Sequence, residues 1–87
     1  MQNETFQKLR ELLALATGHT VQEIIPGTLL EVDLGINIEE DFPRLLAVMN
    51  QEFAIKLDME HVLDELEEGG DTVEQLAKLI EEEVELG

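Results

Sequence analysis

His19 and His61 are the only histidines of the chain, and neither cysteine nor serine accompanies them. The absence of cysteine removes thiol nucleophiles, thiolate zinc ligands and disulfides, and suits a reducing compartment. His61 has Glu60, Asp64 and Glu65 close by in sequence, the residue types of a zinc site or a general base. No second ligand pattern joins it to His19, so both read as solvated side chains. Asp33, Asn37, Glu39 and Asp41 place oxygens at alternate positions, as in a calcium loop. The spacing and the closing glutamate of an EF-hand are missing, so weak, non-selective divalent binding is the most this pattern implies, and no dedicated metal site is expected. The Glu67-Glu68-Gly-Gly-Asp71 turn reads the same way, and Glu81-Glu82-Glu83 reads as a solvated helix face. There is no nucleophile with its base and orienting acid, no glycine-rich phosphate loop and no carboxylate pair in a recognisable cleft. The expectation is a protein that is not an enzyme.

The elements that must position these residues are helical. Phe6, Leu9, Leu12, Leu13 and Ala16 recur at spacings of three and four, which predicts a first helix with Asn3 as N-cap and Thr17-Gly18 as its stop. Thr20-Val-Gln-Glu23 reads as a capping box opening one turn, with Ile24 and Ile25 turned inward before Pro26-Gly27. Thr28-Leu-Leu-Glu31 repeats the pattern and would set Leu29 or Leu30, then Val32 and Leu34, on the core. Phe42, Leu45, Leu46, Met49 and Phe53 form the stripe of a second helix. Pro43 is tolerated only in a first turn, which points to Asp41 as N-cap, although Asn37 could instead cap a distorted turn leading in. Asp58 caps a third segment carrying Met59, Val62, Leu63 and Leu66, closed by Gly69-Gly70. Asp71-Thr-Val-Glu74 opens the last helix, with Val73, Leu76, Ala77, Ile80 and Val84 on one side. Phe53 to Leu57 is too short and isolated to make a sheet. Four helices and one long connection between the first and second account for the whole pattern.

At 87 residues the chain has room for one core, and the expected organisation is a single domain over 1–87. Five basic residues against 21 acidic ones give a formal charge of −16 at pH 7. Such a charge argues against nucleic-acid binding, for want of cations to displace counterions, and against an anionic membrane. It favours capture by the basic surface of a partner enzyme or protein. The start MQNETF has no basic and apolar leader, and no apolar run approaches a membrane span, so a cytoplasmic monomer is expected.

An ordered set of segments resembles the acyl carrier protein family and covers most of the chain. It comprises the first helix, Ile24-Ile25-Pro26, Leu29-Leu30-Glu31-Val32-Asp33-Leu34-Gly35, the helix ending Asn50-Gln-Glu-Phe53, and Thr72-Val73-Glu74-Gln75-Leu76. The resemblance implies an all-α bundle of three main helices and a shorter third one, with a long first loop. It also implies a phosphopantetheine arm on a serine just after Leu-Gly. Here that stretch reads Leu34-Gly35-Ile36-Asn37-Ile38-Glu39-Glu40-Asp41. Counting from Leu34-Gly35 puts Ile38 at the attachment position; counting back from Phe53 puts Glu39 there, because this chain has one extra residue between. Isoleucine offers no nucleophile, and glutamyl attack on phosphorus would leave a labile acyl phosphate, so no phosphopantetheine is expected. Pro43, Arg44 and the neutral Asn50 and Gln51 also depart from the regular acidic second helix by which carriers dock on basic enzymes.

The sequence thus points to a carrier-like module that lacks its arm and serves as a noncatalytic protein-interaction element linked to acyl, polyketide or peptide metabolism. The expected contact residues are Asn37, Glu39, Glu40, Asp41 and Arg44 with Glu60, Asp64 and Glu68. The alternatives are a genuine carrier with an atypical acceptor or a noncovalent arm and, on charge alone, an acidic mimic of nucleic acid.

Overall fold

The computed structural model describes residues 3–86. Four helices follow one another: α1 (Asn3–Thr17), α2 (Phe42–Phe53), α3 (Met59–Gly69) and α4 (Val73–Leu86), with a 3-10 turn at Val21–Glu23 and no strand among the described residues. The predicted all-helical class, the four helices and the long connection between α1 and α2 are all present.

Helix α1 turns its apolar stripe inward as the spacing requires. Leu9 and Leu13 are fully buried with Phe6 and Leu12 packed against the core, whereas Ala16 is exposed and Ala14 takes the buried place instead. Gly18 ends the helix at φ 77°, its N–H donating to Ala14 O at 2.9 Å. Asn3 already lies within the helix and so is not its cap; what precedes it lies outside the described residues. Helix α4 packs against both α1 and α3. It buries Val73, Leu76, Ala77, Leu79 and Ile80, but Val84, a turn beyond, is 44% exposed. Thr72 caps it through Oγ1, which accepts from Gln75 N at 3.1 Å. Asp71 is not the cap, because its carboxylate accepts from Glu31 N at 3.1 Å.

The long connection is held from both sides. Arg10 on α1 donates Nε to Ile24 O at 2.8 Å and Nη2 to Val21 O at 2.7 Å, pinning the 3-10 turn to the body. The expected Thr20–Glu23 capping box forms, with Glu23 Oε1 accepting from Thr20 N at 2.8 Å. Ile24 is buried as expected, but Ile25 is 57% exposed, because the chain leaves the turn extended and consecutive side chains point apart. The second capping box does not form: Thr28 is itself buried, and its hydroxyl accepts from Ile25 N at 2.9 Å. Leu29 N instead donates to the Asp33 carboxylate at 2.9 Å. Leu30 and Leu34 enter the core, and Val32, between them, is 77% exposed. An isolated antiparallel bridge joins Leu29 to Thr72, with Leu30 N on Asp71 O and Val73 N on Thr28 O, both at 2.9 Å.

After α2 the chain turns through Ala54, the one non-glycine residue at positive φ among those described (φ 56°). Asn50 then clamps the following strand-like run. Its Oδ1 accepts from Leu57 N at 2.9 Å and its Nδ2 donates to Leu57 O at 3.2 Å, while Ile55 and Leu57 go into the core. Asp58 caps α3 as predicted, accepting from His61 N at 3.2 Å.

Candidate interaction site at the start of the second helix

The path into α2 is built on Asn37. Ile36 N donates to Leu30 O at 3.0 Å and the Ile36 side chain is buried, which fixes where the next residues leave the core. Asn37 Oδ1 accepts from both Glu39 N and Glu40 N at 2.9 Å. Its carbonyl accepts from Asp41 N at 2.8 Å and from Phe42 N at 3.1 Å. The Phe42 bond spans five residues instead of four, so the turn over Ile38–Asp41 is wider than a regular helical one. Asp41 then stands at the N-cap position of α2, as Pro43 implied, but makes no side-chain capping bond. Its backbone is already helical (φ −92°, ψ −32°), and its carboxylate accepts from Asn37 N at 3.0 Å. Both readings open in the sequence hold: α2 begins after Asp41, and Asn37 caps the distorted turn that leads into it. Pro43 follows in the first turn of α2, where no amide donor is required.

This turn sends the expected contact residues in two directions. Ile38 is half-buried and, with Leu63 and Leu66 of α3, lines a cleft of about 490 Å³ whose carboxylates are Glu31, Glu39, Glu67 and Asp71. Asp41 and Arg44 line a second cleft of about 440 Å³ on the other side, between α1 and α2. Glu40 is exposed and lines neither cleft. On α3, Glu60, Asp64, Glu67 and Glu68 are all exposed, spaced by four, three and one. That spacing makes one acidic stripe along the helix. Glu39 and the α3 stripe thus share one face, and Arg44 stands apart from it.

Glu31, Glu67 and Asp71 complete this acidic face although sequence reasoning did not single them out as contacts. Glu67 was accessible from its spacing to Glu60 and Asp64. Glu31 and Asp71 meet only through the Leu29–Thr72 bridge, which has no local signature. None of Glu31, Glu39, Glu60, Asp64, Glu67 or Glu68 forms an ion pair with a basic side chain among the described residues.

The remaining singled-out residues are placed as follows. His61 is exposed on α3; His19 Nδ1 lies 3.6 Å from Glu23 Oε1, an i,i+4 contact in the first turn of the connection. The Glu23 carboxyl is held below its ordinary value, first by the Thr20 backbone N–H and next by the Thr20 hydroxyl. Asp33, Asn37 and Asp41 spend side-chain oxygens on backbone amides. No group of three or more His, Asp or Glu placed to hold a metal ion occurs among the described residues. Likewise, no described helix is long and apolar enough to cross a membrane.

No protein-family model and no curated protein sequence matches this chain.

Proposed function

We propose that the protein is a carrier-like helical module without a prosthetic arm, acting as a noncatalytic binding element for a basic partner. The observation that carries this reading is the Asn37 turn. In the family it resembles, a phosphate ester is anchored at the corresponding turn, where a hydroxyl and free helix-start amides are needed. Residues Ile36 to Asp41 contain no hydroxyl. The amides of Glu39, Glu40, Asp41 and Phe42 already donate to Asn37. Three carboxylates follow in succession and would repel the anionic donor. The residues present therefore do not fit phosphopantetheine. The attachment position of the carrier pattern falls on Ile38 or Glu39, and neither offers a hydroxyl.

No threonine stands in the Asn37 turn. Thr5 lies on α1, Thr28 is buried, Thr17 donates to Leu13 O at 2.7 Å, Thr20 donates to Glu23 Oε1 at 3.1 Å, and Thr72 caps α4. The unpaired carboxylates of Glu39 and the α3 stripe form the surface on which a basic partner, a cytoplasmic enzyme of acyl, polyketide or peptide metabolism, docks. The test is intact mass after incubation with coenzyme A and a permissive phosphopantetheinyl transferase. The protein should keep its mass; an adduct on the unaltered chain would establish the atypical-carrier alternative. In parallel, a partner captured at low salt should be lost at moderate salt and by Glu39→Lys combined with Glu67→Lys.

A further inference from the structure

The second cleft has different chemistry from the acidic face. Its walls come from Leu12 on α1, Leu34 on the connection, and Leu45 and Val48 on α2, and it contains no aromatic ring. Its polar groups are Thr17, Asp41 and Arg44. The Thr17 hydroxyl is spent on Leu13 O at 2.7 Å. The Asp41 carboxylate places Oδ2 on Asn37 N at 3.0 Å and forms no ion pair with Arg44, three residues on. Arg44 forms no hydrogen bond or ion pair among the described residues. Lys8 and Arg10, by contrast, are both committed to backbone carbonyls.

A cleft of about 440 Å³ is within the range of small-ligand sites. An occupant lying along Leu12, Leu34, Leu45 and Val48 must be aliphatic along its body, because these walls offer it only apolar side chains. What suits its end is an anion, because the Arg44 guanidinium, the one cationic group of the cleft, is uncommitted. A planar carboxylate matches the fork of that group with two parallel hydrogen bonds. The charge of −16 opposes any anion at long range, but at physiological salt the screening length is about 8 Å and the nearest uncommitted charge governs the bound state.

We infer that the α1–α2 cleft binds a free aliphatic carboxylate, its chain lying along Leu12, Leu34, Leu45 and Val48 and its head group on Arg44. This does not rest on the acidic docking face, which lies along α3, and the two are tested separately.

The experiment is an NMR titration of the full chain with octanoate, 1-octanol and acetate. Octanoate should shift the methyl signals of Leu12, Leu34, Leu45 and Val48 together with Arg44 Nε, saturating in the millimolar range expected for so small a ligand. Octanol should bind the same methyls about threefold or more weakly, the range of a solvent-accessible ion pair, and acetate should leave them unmoved. Arg44→Gln should lower octanoate affinity to that of octanol without changing octanol affinity. Because Arg44 holds nothing in the fold, its helical circular dichroism and melting temperature should match the parent. Shifts centred on Leu63 and Leu66, equal affinity for octanoate and octanol, absence of saturation, or an Arg44→Gln variant that binds octanoate as the parent does would each overturn the assignment.

Discussion

Replacing Asn37 tests whether one side chain organises the start of α2. Asn37→Ala deletes Oδ1, the acceptor for Glu39 N and Glu40 N at 2.9 Å. Both donors belong to exposed residues, so water re-solvates them, and the loss is that of an N-cap, about 1 kcal/mol, not of two buried amides. For a domain of this size that is a fall of roughly 4–8 °C in melting temperature. Asn37→Asp separates hydrogen bonding from charge. It keeps the acceptor and is intrinsically as good a cap, but adds a negative charge beside Glu39, Glu40 and Asp41, whose own carboxylate is bonded to the Asn37 amide. One such neighbour at about 6 Å in a water-like dielectric costs about 0.7 kcal/mol before salt screening. Thermal melts in 10 mM and 500 mM sodium chloride should therefore show Asn37→Asp destabilised at low salt and close to the parent at high salt. Asn37→Ala should stay below the parent in both. An alanine variant that melts with the parent, or an aspartate variant more stable at low salt, would refute the cap described above.

Four further outcomes follow. Ala54→Gly should raise the melting temperature by a few degrees, since the left-handed conformation costs a non-glycine residue about 1–2 kcal/mol and glycine's greater freedom when unfolded returns about half of that. Asn50→Ala should cost about 1–3 kcal/mol in urea unfolding, because it strips the part-buried Leu57 amide and carbonyl of their partner. With a formal charge of −16, melting temperature should rise with added salt, and a flat response over 10–500 mM would contradict the self-repulsion argument. Glu23 should titrate below the ordinary 4.5 when followed by its side-chain NMR shift. With the folded value depressed, its contribution is present above the unfolded value and fades as pH falls through the folded one. Thr20 amide protection should weaken over that interval, and Glu23→Gln should make it insensitive to pH.

What the sequence made legible is what is local. The stripes of α2 and α3, that of α1 as far as Leu13, the Asp58 cap and the Gly18 stop each depend on residues within about two turns, and all are found. Ile25 and Val32 were misplaced because a turn of three or four residues has too few apolar positions to set its phase. The start of α2 after Asp41 was legible from Pro43, but what organises the lead-in is Asn37, which reaches forward with both its side chain and its carbonyl. Thr28 and Asp71 look like caps in isolation, yet tertiary contacts give them other partners. On the candidate site, Glu39 and the α3 carboxylates were legible as one acidic region. The separation of Arg44 onto another face was not, because it depends on the width of a single turn.

The pairing of Leu29 with Thr72, and of the Glu31 amide with Asp71 across 40 chain positions, ties the long connection to the start of α4. Its backbone bonds run from the amides of Leu30 and Val73, both fully buried, so this seam is anchored in the core. The groove beside Ile38 therefore has a fixed frame, while the carboxylates of Glu31, Glu39 and Glu67 along it stay exposed to water.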